Sequence, residues 1–524
     1  MQPILIAGKW RAAEAAGTFQ AANPQTGTPL PEQFPTSTWP DVDAALNAAA
    51  SAFQQLKRLP TAKIAAFLRD YAERIETNSE KLCAAANAET GYPLKPRLAE
   101  VELPRTTNQL RAAAAAAEEG SWTRPTIDTK LNIRARFEPL GPVAVFGPNN
   151  FPFAFGSISG GDFAAALAAG CPVIAKANTS HPRTTQFFAE LAQQAADASG
   201  LPAGTVQLIY RTSHVNGERL VADPRLGAIA YTGSRHAGLK LKTAADAVGK
   251  PIYLELSSVN PVVILPGALQ ERGEKLVDEF VTSALMGTGQ FCTNPGLTLL
   301  LAGAATEKFL EAVAKRYTDA ASGPLLSAGV ADSLARGVEV LTQAGAKIVA
   351  GGKPPEAAGF RHANTLLRAT AAQFIARPLE LQTECFGNAS LVVVAESVAE
   401  LIGVLEKLEG NLTGCVYSDT AGSDDPTYDQ IVPPLRERVG RLLNDKMPTG
   451  VAVSPAMNHG GPFPATGHPG FTAVGIPTAM PRFAMWACYD AVRESRLPDA
   501  LKNKNPTGKL WRSIDGSWTT GDCG

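Results

Sequence analysis

One cysteine stands in an unusual setting, Gly287-Thr288-Gly289-Gln290-Phe291-Cys292-Thr293-Asn294-Pro295-Gly296. A helical apolar pattern over about 271–286 leads into it. This layout predicts a thiol on a tight turn at a helix end, where unspent backbone N–H groups can stabilise a thiolate or an oxyanion. The plain alternative is a small buried hydrophobe, the ordinary fate of a lone cysteine. Glu255, in Tyr253-Leu254-Glu255-Leu256-Ser257-Ser258, ends an apolar strand pattern. Flanking leucines should desolvate its carboxyl and raise its pKa toward the range of a general base. It could instead cap the Ser257 or Ser258 N–H, form an ion pair, or hold a ribose. Asn149 and Asn150 precede Phe151-Pro152 at another strand end. Asparagine there is either a turn residue or an amide donor to an oxyanion. Lys176 ends a buried-looking strand, facing solvent, a phosphate or a ribose. Gly233-Ser234-Arg235-His236-Ala237-Gly238 follows a strand and precedes a helix. Its N–H groups could hold a phosphate, or it is a simple strand-to-helix turn without the full GxGxxG pattern.

The elements that must position these groups alternate. Short strands and turns fill 3–35. Helical patterns follow over about 42–59, 62–88 and 98–119. From 131 onward the pattern reads strand 131–140, strand 142–147, helix 160–169, strand 171–176, helix 183–200, strand 205–210, helix 214–222 and strand 227–231. Such alternation predicts an α/β fold with a parallel sheet covered by helices. Ligands then belong at the carboxyl ends of the strands and anions at helix N-termini. A second region opens at strand 252–256. It continues through strand 261–265, the cysteine loop, strand 297–302 and helix 306–319. Residues 420–427 read as a surface loop. Residues 453–481 are rich in Gly, Pro and His without periodicity, which predicts loops that line a site.

Composition excludes several classes. The 524 residues exceed one core, so two or three domains are expected. Formal net charge is −1 with no basic stripe, which argues against nucleic acid as a partner. The seven cysteines are odd in number and widely spaced, which argues for a reducing compartment rather than a disulfide framework. No CxxC or HExxH spacing appears, so no metal is expected. No run reaches the length of a membrane span, and the N-terminus has no signal-peptide pattern. A cytoplasmic globular protein is expected.

No single signal above is specific, but their order is: Pro-Asn-Asn-Phe-Pro, a strand-end lysine, a Gly-Ser loop, Glu-Leu, then Gly-Gln-Phe-Cys. In that order the chain resembles the aldehyde dehydrogenase superfamily, from Ile4-Leu5-Ile6-Ala7-Gly8-Lys9-Trp10 through Thr383-Glu384-Cys385-Phe386-Gly387. The resemblance implies Cys292 as nucleophile, Glu255 as general base for deacylation, and Asn150 with the Cys292 N–H as oxyanion donors. It implies Lys176 at the adenosine ribose, Gly233 and Ser234 at the pyrophosphate, and Glu384 and Phe386 at the nicotinamide ribose and ring. A Rossmann-like cofactor domain would take 1–123 and 141–253, and a catalytic domain 254–452. Bridging and oligomerisation segments would take 124–140 and 480–524, with substrate-site loops at 453–479.

The chain departs from the family pattern at Ser257-Ser258 after Glu255-Leu256, at Cys385 and Asn388 around Phe386, and at Pro464-Ala465 after Pro462-Phe463. These variants resemble an NADP-preferring branch that includes α-ketoglutaric semialdehyde (2,5-dioxovalerate) dehydrogenases and a bacterial fatty-aldehyde dehydrogenase. The branch implies a homodimer, with a tetramer as the alternative. NAD-preferring members carry a Glu three residues after the strand-end lysine. Here that position is Thr179. A hydroxyl accepts a 2′-phosphate that a carboxylate would repel, and Arg211 could pair with it. NADP is expected over NAD. The substrate-lining positions of the family fall on Arg105, Phe151, Ile158, Met286, Met457 and Phe463. Five are apolar and suit a hydrophobic aldehyde. Arg105 would anchor a substrate carboxylate, or be a surface residue paired with Glu102 one turn back. The substrate implied is a small aldehyde, 2,5-dioxovalerate first. A catalytically silent paralogue and a cofactor-free thiol esterase are the rival readings. The joint presence of Cys292, Glu255, Asn150 and the cofactor set argues against both.

Overall fold

A computed structural model describes residues 1–353, 357–468, 470 and 472–523. The first seven-stranded sheet runs Ile252–Glu255, Ala228–Thr232, Val143–Phe146, Val173–Lys176, Val206–Ile209, Ile4–Ile6, Lys9–Arg11. Its five central strands are parallel, and the two N-terminal strands add antiparallel at one edge. The parallel strands are largely buried because helices cover both faces, with polar Lys176 and Glu255 at the carboxyl ends of two of them. Chain order reverses at Val143–Phe146, whose neighbours are Val173–Lys176 on one side and Ala228–Thr232 on the other. That reversal opens a crevice at the carboxyl ends, the place where such sheets bind ligands.

The second seven-stranded sheet runs Lys347–Ala350, Thr365–Thr370, Ala389–Ala395, Leu297–Leu301, Val262–Ile264, Asn411–Tyr417, Val439–Asn444. All of its neighbours are parallel except the first pair. A third sheet, Ala484–Asp490, Ile133–Pro139, Thr126–Asp128, Arg512–Ile514, Ser517–Thr519, joins segments from far apart in the chain. A small sheet of Arg211–Thr212, Phe34–Ser37 and Ala15–Phe19 flanks the first.

The expected α/β alternation is present along 143–319, with boundaries within a few residues. Two helices differ. The pattern over 62–88 is two helices, Thr61–Thr77 and Ser79–Thr90. Asn78 ends the first because its side-chain amide donates to the Arg74 carbonyl at 2.9 Å, competing with the helix ladder. The helix expected over 98–119 begins as a wide-turned stretch, Leu94–Glu102, before the regular helix Leu103–Glu119. Such wide turns often mark functional places in helices, and this one carries Arg97 and Glu102.

Candidate active site

The helix Pro266–Leu285 delivers the chain to the cysteine turn. Gly287, Thr288 and Gly289 all take left-handed backbone angles. Gly289 must be glycine for a second reason, since a Cβ there would lie 2.1 Å from the Gly387 carbonyl oxygen. Buried Gln290 pins the turn, accepting from Leu326 N at 2.8 Å and donating to the Gly287 and Pro324 carbonyls. Asn260, fully buried and itself left-handed, donates through Nδ2 to the Cys292 and Asn294 carbonyls, each at 2.9 Å. Asn411 Oδ1 in turn accepts from Ser258 Oγ, Val259 N and Asn260 N. The polar residues that follow Glu255-Leu256 therefore form the floor of the cysteine loop. Nothing in the sequence marked Asn260 or Asn411 for this role.

The Cys292 Sγ is half-buried and meets two groups. His459 Nε2 lies 3.4 Å from Sγ and 2.9 Å from Glu255 Oε1. His459 and Glu255 are both almost fully buried. The shorter contact places the Nε2 proton toward Glu255, with Nε2–H donating to the carboxylate. The His459 ring packs on Phe155 at 5.7 Å, and its backbone N–H donates to Thr472 Oγ1 at 2.9 Å. Sequence reading missed His459 entirely. It lies in the aperiodic stretch expected to line a site, whose positions 469 and 471 are outside the described residues. Burial first, and then the negative charge of Glu255, push the Cys292 thiol well above its ordinary value, while Arg105 pulls it down. At rest Sγ is a thiol, and with Nε2 of His459 carrying a proton, the Glu255 carboxylate is the neighbouring group able to take the thiol proton.

Asn150, expected as an oxyanion donor, is buried beside the cysteine turn. Its Nδ2 donates to the Gln290 carbonyl at 3.0 Å, which aims the amide at the cysteine turn and leaves its second proton unspent. The Cys292 N–H has no acceptor among the described residues. Asn150 and Cys292 line the same chamber. The Asn150 loop is held from below. Buried Glu102 accepts from Phe153 N at 2.8 Å and Ala154 N at 3.1 Å. Arg97 pairs with Glu102 at 3.4 Å and donates to the Asn150 carbonyl at 3.0 Å. Its guanidinium lies over the Phe151 ring at 4.2 Å.

A groove of about 610 Å³ opens at the carboxyl ends of the first sheet, lined by Lys176, Thr179, Arg211, Gly233 and Ser234. A chamber of about 330 Å³ continues from it past Gly233 and Ser234 to Glu384, Phe386, Glu255 and Cys292. Residues expected at ribose, pyrophosphate and nicotinamide thus stand in that order along one path. The helix Arg235–Asp246 starts at this path, with Ser234 as its N-cap. Arg235 to Gly238 are its first turn rather than loop. Lys176 and Arg211 have no acidic or hydrogen-bond partner among the described residues. Burial and the charge of Arg211 push Lys176 down to about 8. Two unpaired cations, with Glu218 the carboxylate among the lining residues, make a cradle for an anion. Burial pushes Glu384 up to about 7. These residues fit a nicotinamide dinucleotide.

On the substrate side, Phe151, Phe155 and Phe291 cluster with Val451, Val453 and Met457. Phe151 and Met457, expected at the substrate, belong to this cluster. Arg105 is not a surface residue, because Glu102 is buried and paired with Arg97. Arg105 donates through Nη1 to the Val451 carbonyl and lies 5.3 Å over the Phe155 ring. Its Nε and Nη2 are sealed from solvent without partners. Three expectations need correction. Ile158 is 1% exposed in the core of the first sheet's layer, and its carbonyl accepts from Tyr71. Met286 is 44% exposed in a separate surface groove with Glu279 and Tyr417. Phe463 is 58% exposed beneath the Arg235 guanidinium. In each case the family position is kept in sequence, but local packing turns the side chain to a different neighbour.

Comparison with known proteins bears on this arrangement. Residues 10–431 match the model of the aldehyde dehydrogenase family. The chain is 38% identical over 515 residues to α-ketoglutaric semialdehyde dehydrogenase 2 of Azospirillum brasilense, covering 96% of this chain and 97% of the relative. It is 38% identical over 521 residues to an α-ketoglutaric semialdehyde dehydrogenase of Acinetobacter baylyi, covering 97% of each. Among solved structures, that of PnpE in complex with nicotinamide adenine dinucleotide superposes with a TM-score of 0.81 at 24% identity, covering 94% of this chain and 99% of that one. With a family match over residues 10–431 and relatives 38% identical over nearly the whole chain, this chain belongs to the aldehyde dehydrogenase family.

Proposed function

We propose that the protein oxidises 2,5-dioxovalerate (α-ketoglutaric semialdehyde) to 2-oxoglutarate with NADP. The observation that carries the substrate is Arg105. A buried guanidinium with two unspent donors, close enough to Cys292 to shift its thiol, suits a carboxylate at the far end of a short aldehyde acid. The names of the two relatives at 38% identity support the same substrate. A second reading, a fatty-aldehyde dehydrogenase, is favoured by the apolar wall of Phe151, Phe155, Phe291 and Met457.

A panel of 2,5-dioxovalerate, succinic semialdehyde, glycolaldehyde and a long-chain aldehyde, compared by kcat/KM, tests the two readings. Arg105→Ala should raise KM for the aldehyde acids about 10- to 100-fold, the worth of a hydrogen bond to a charged group, and change uncharged aldehydes only a few-fold. Equal effects on both classes would remove the anchor role.

The chemistry follows from positions already described. Cys292 Sγ attacks the aldehyde carbon, and the thiol proton leaves toward the Glu255 carboxylate. The second Asn150 amide proton and the Cys292 N–H face the oxygen as it becomes negative. When bound, oxidised NADP supplies the hydride acceptor that turns the adduct into a thioester. Glu255, with His459 against it, takes a proton from the water that releases the acid.

Phosphate selectivity falls to Lys176, Thr179 and Arg211. Lys176 is protonated below about pH 8, and a 2′-phosphate is dianionic above about pH 6. Affinity for NADP should therefore be best between those values and fall as pH rises through about 8, because the lysine then loses its charge. Measured KM for NADP should rise several-fold between about pH 7 and pH 9 while KM for NAD changes less. Parallel pH profiles would exclude Lys176 from phosphate selectivity.

In this reading the first sheet, within 1–123 and 141–253, serves the cofactor. The second, within 254–452, carries the nucleophile, and 453–479 bears on the substrate. The third sheet, from 124–140 and 480–524, serves assembly. Its edge strand Ala484–Asp490 exposes Met485 and Trp486, and the second sheet has a free edge at Val439–Asn444. Edges of this kind pair readily, which supports a homodimer over a monomer. Among the described residues no helix is long and apolar enough to cross a membrane, which is compatible with the proposed cytoplasmic location.

A further inference from the structure

The contact between Cys292, His459 and Glu255 has a second chemical meaning. We propose that these three residues form a binding site for a thiophilic divalent cation of the Zn²⁺ type, and that its occupation blocks the enzyme reversibly. One sulfur, one imidazole nitrogen and one carboxylate oxygen lie within 4.8 Å of one another. A tetrahedral Zn²⁺ with bonds of about 2.3 Å to sulfur and 2.0 Å to nitrogen and oxygen would separate S and N by about 3.5 Å, and N and O by about 3.3 Å. The observed separations are 3.4 Å and 2.9 Å, so a small outward shift admits the ion.

Three protein ligands with one open position are the usual set of an accessible zinc site, and thiolate with imidazole selects Zn²⁺ over Mg²⁺ or Ca²⁺. The carboxylate also has capacity to spare, since Glu255 Oε2 is buried and has no hydrogen-bond partner among the described residues. The charges balance. The thiol releases its proton to solvent as the S–Zn bond forms, the His459 ring moves its proton from Nε2 to Nδ1 so that the Nε2 lone pair can bind, and thiolate plus carboxylate neutralise the dication beside a neutral imidazole. No electron is transferred. The positive charge of Arg105 nearby opposes the ion, so the site is one for trace thiophilic metal rather than for abundant cations. The fourth position faces the chamber shared with Glu384 and Phe386, where water or a carboxylate product could complete the shell. Blocking follows because the ion occupies the nucleophile and the base together.

The blocking half of this inference rests on Cys292 being the nucleophile proposed above; the binding half does not, and the two are read separately. Binding is read by titrating the metal-free full-length protein with Co²⁺. The expected result is a thiolate-to-cobalt charge-transfer band in the near ultraviolet with visible bands of tetrahedral intensity. Cys292→Ser should remove the band. His459→Gln should weaken Co²⁺ binding on the order of 100-fold, as loss of a ligand costs at least as much as loss of its supporting shell. Retained NADP binding checks that each variant is folded.

Blocking is read as loss of NADPH formation with Zn²⁺, restored by EDTA. A cobalt band that survives Cys292→Ser belongs to another cysteine and overturns the site. Equal Co²⁺ affinity in the unaltered protein and His459→Gln means a bare thiol contact, and overturns it too. Three-ligand Co²⁺ binding without any loss of activity keeps the site but overturns the blocking, and with it the nucleophile assignment.

Discussion

Cys292→Ala should leave no more than about one part in 10⁴ of the NADPH-forming rate, a loss of roughly 5 kcal/mol of barrier stabilisation. The reason is geometric. Sγ is the atom that meets the Glu255–His459 pair in the chamber shared with Asn150, Glu384 and Phe386. Of the other described cysteines, Cys385 lies between Glu384 and Phe386 but packs its sulfur against Gly337, and Cys171 and Cys415 bond to the carbonyls of Phe483 and Lys446 in separate packing layers. The substitution removes one sulfur from a half-buried turn, so folding should survive. Stopped-flow absorbance with saturating aldehyde measures the rate, and fluorescence titration with NADP confirms that the cofactor path is intact. Appreciable turnover in a variant that still binds NADP would show that aldehyde oxidation does not pass through a covalent adduct on this residue.

The second large effect concerns Glu255, and it has two signs. The carboxylate raises the Cys292 thiol, so its neutral replacement, Glu255→Gln, should lower the thiol toward its ordinary value. Alkylation of Cys292 by iodoacetamide at fixed pH should then quicken. The same substitution removes the proton acceptor for water, so release of the acid should slow by about 10²- to 10⁴-fold, the usual contribution of a general base. The combined signature is a burst of about one NADPH per site followed by a slow steady state. The structure makes a sharper comparison available, because His459 Nε2 touches both groups. If the imidazole is the base and Glu255 only orients it, His459→Gln should show the burst and Glu255→Gln should retain substantial turnover. If the carboxylate is the base, His459→Gln should slow both phases more modestly, since Glu255 keeps its charge and Cys292 keeps its neighbour. A Glu255→Gln variant with no burst and an unchanged steady state would remove it from deacylation.

These results would also weigh the Arg97–Glu102 pair. It touches neither Sγ nor the cofactor path, but it holds the Asn150 loop through two N–H groups and one carbonyl. Its position in a wide-turned stretch ahead of a regular helix explains why the helical pattern over 98–119 gave no sign of it. The stretch reads as the first turns of an ordinary amphipathic helix. The departure from regular spacing is what brings Arg97 under Phe151 and Asn150.

The sequence by itself determined what depends on local order. Apolar runs bounded by Gly and Pro became parallel strands, helical spacing became covering helices, and the motif residues at strand ends fell at the carboxyl edge of one sheet. Glu255, Lys176, Gly233 and Ser234 are legible for that reason, since a strand end or helix start fixes where a side chain can stand, whereas the roles of Cys292, Asn150, Glu384 and Phe386 come from the family resemblance. Only the tertiary structure decided which distant groups converge. His459 lies 167 residues from Cys292 in an aperiodic segment, and aperiodic chain carries no signal about where a side chain points. Asn260 and Asn411 carry no signal in the sequence and are a buried clamp. Arg105 has the same helical spacing whether it faces water or the cleft, and its burial depends on Val451, Phe155 and the prior claim of Arg97 on Glu102. Ile158, Met286 and Phe463 fail as lining residues on the same ground: local pattern places a side chain on an element, and packing between elements chooses its neighbour.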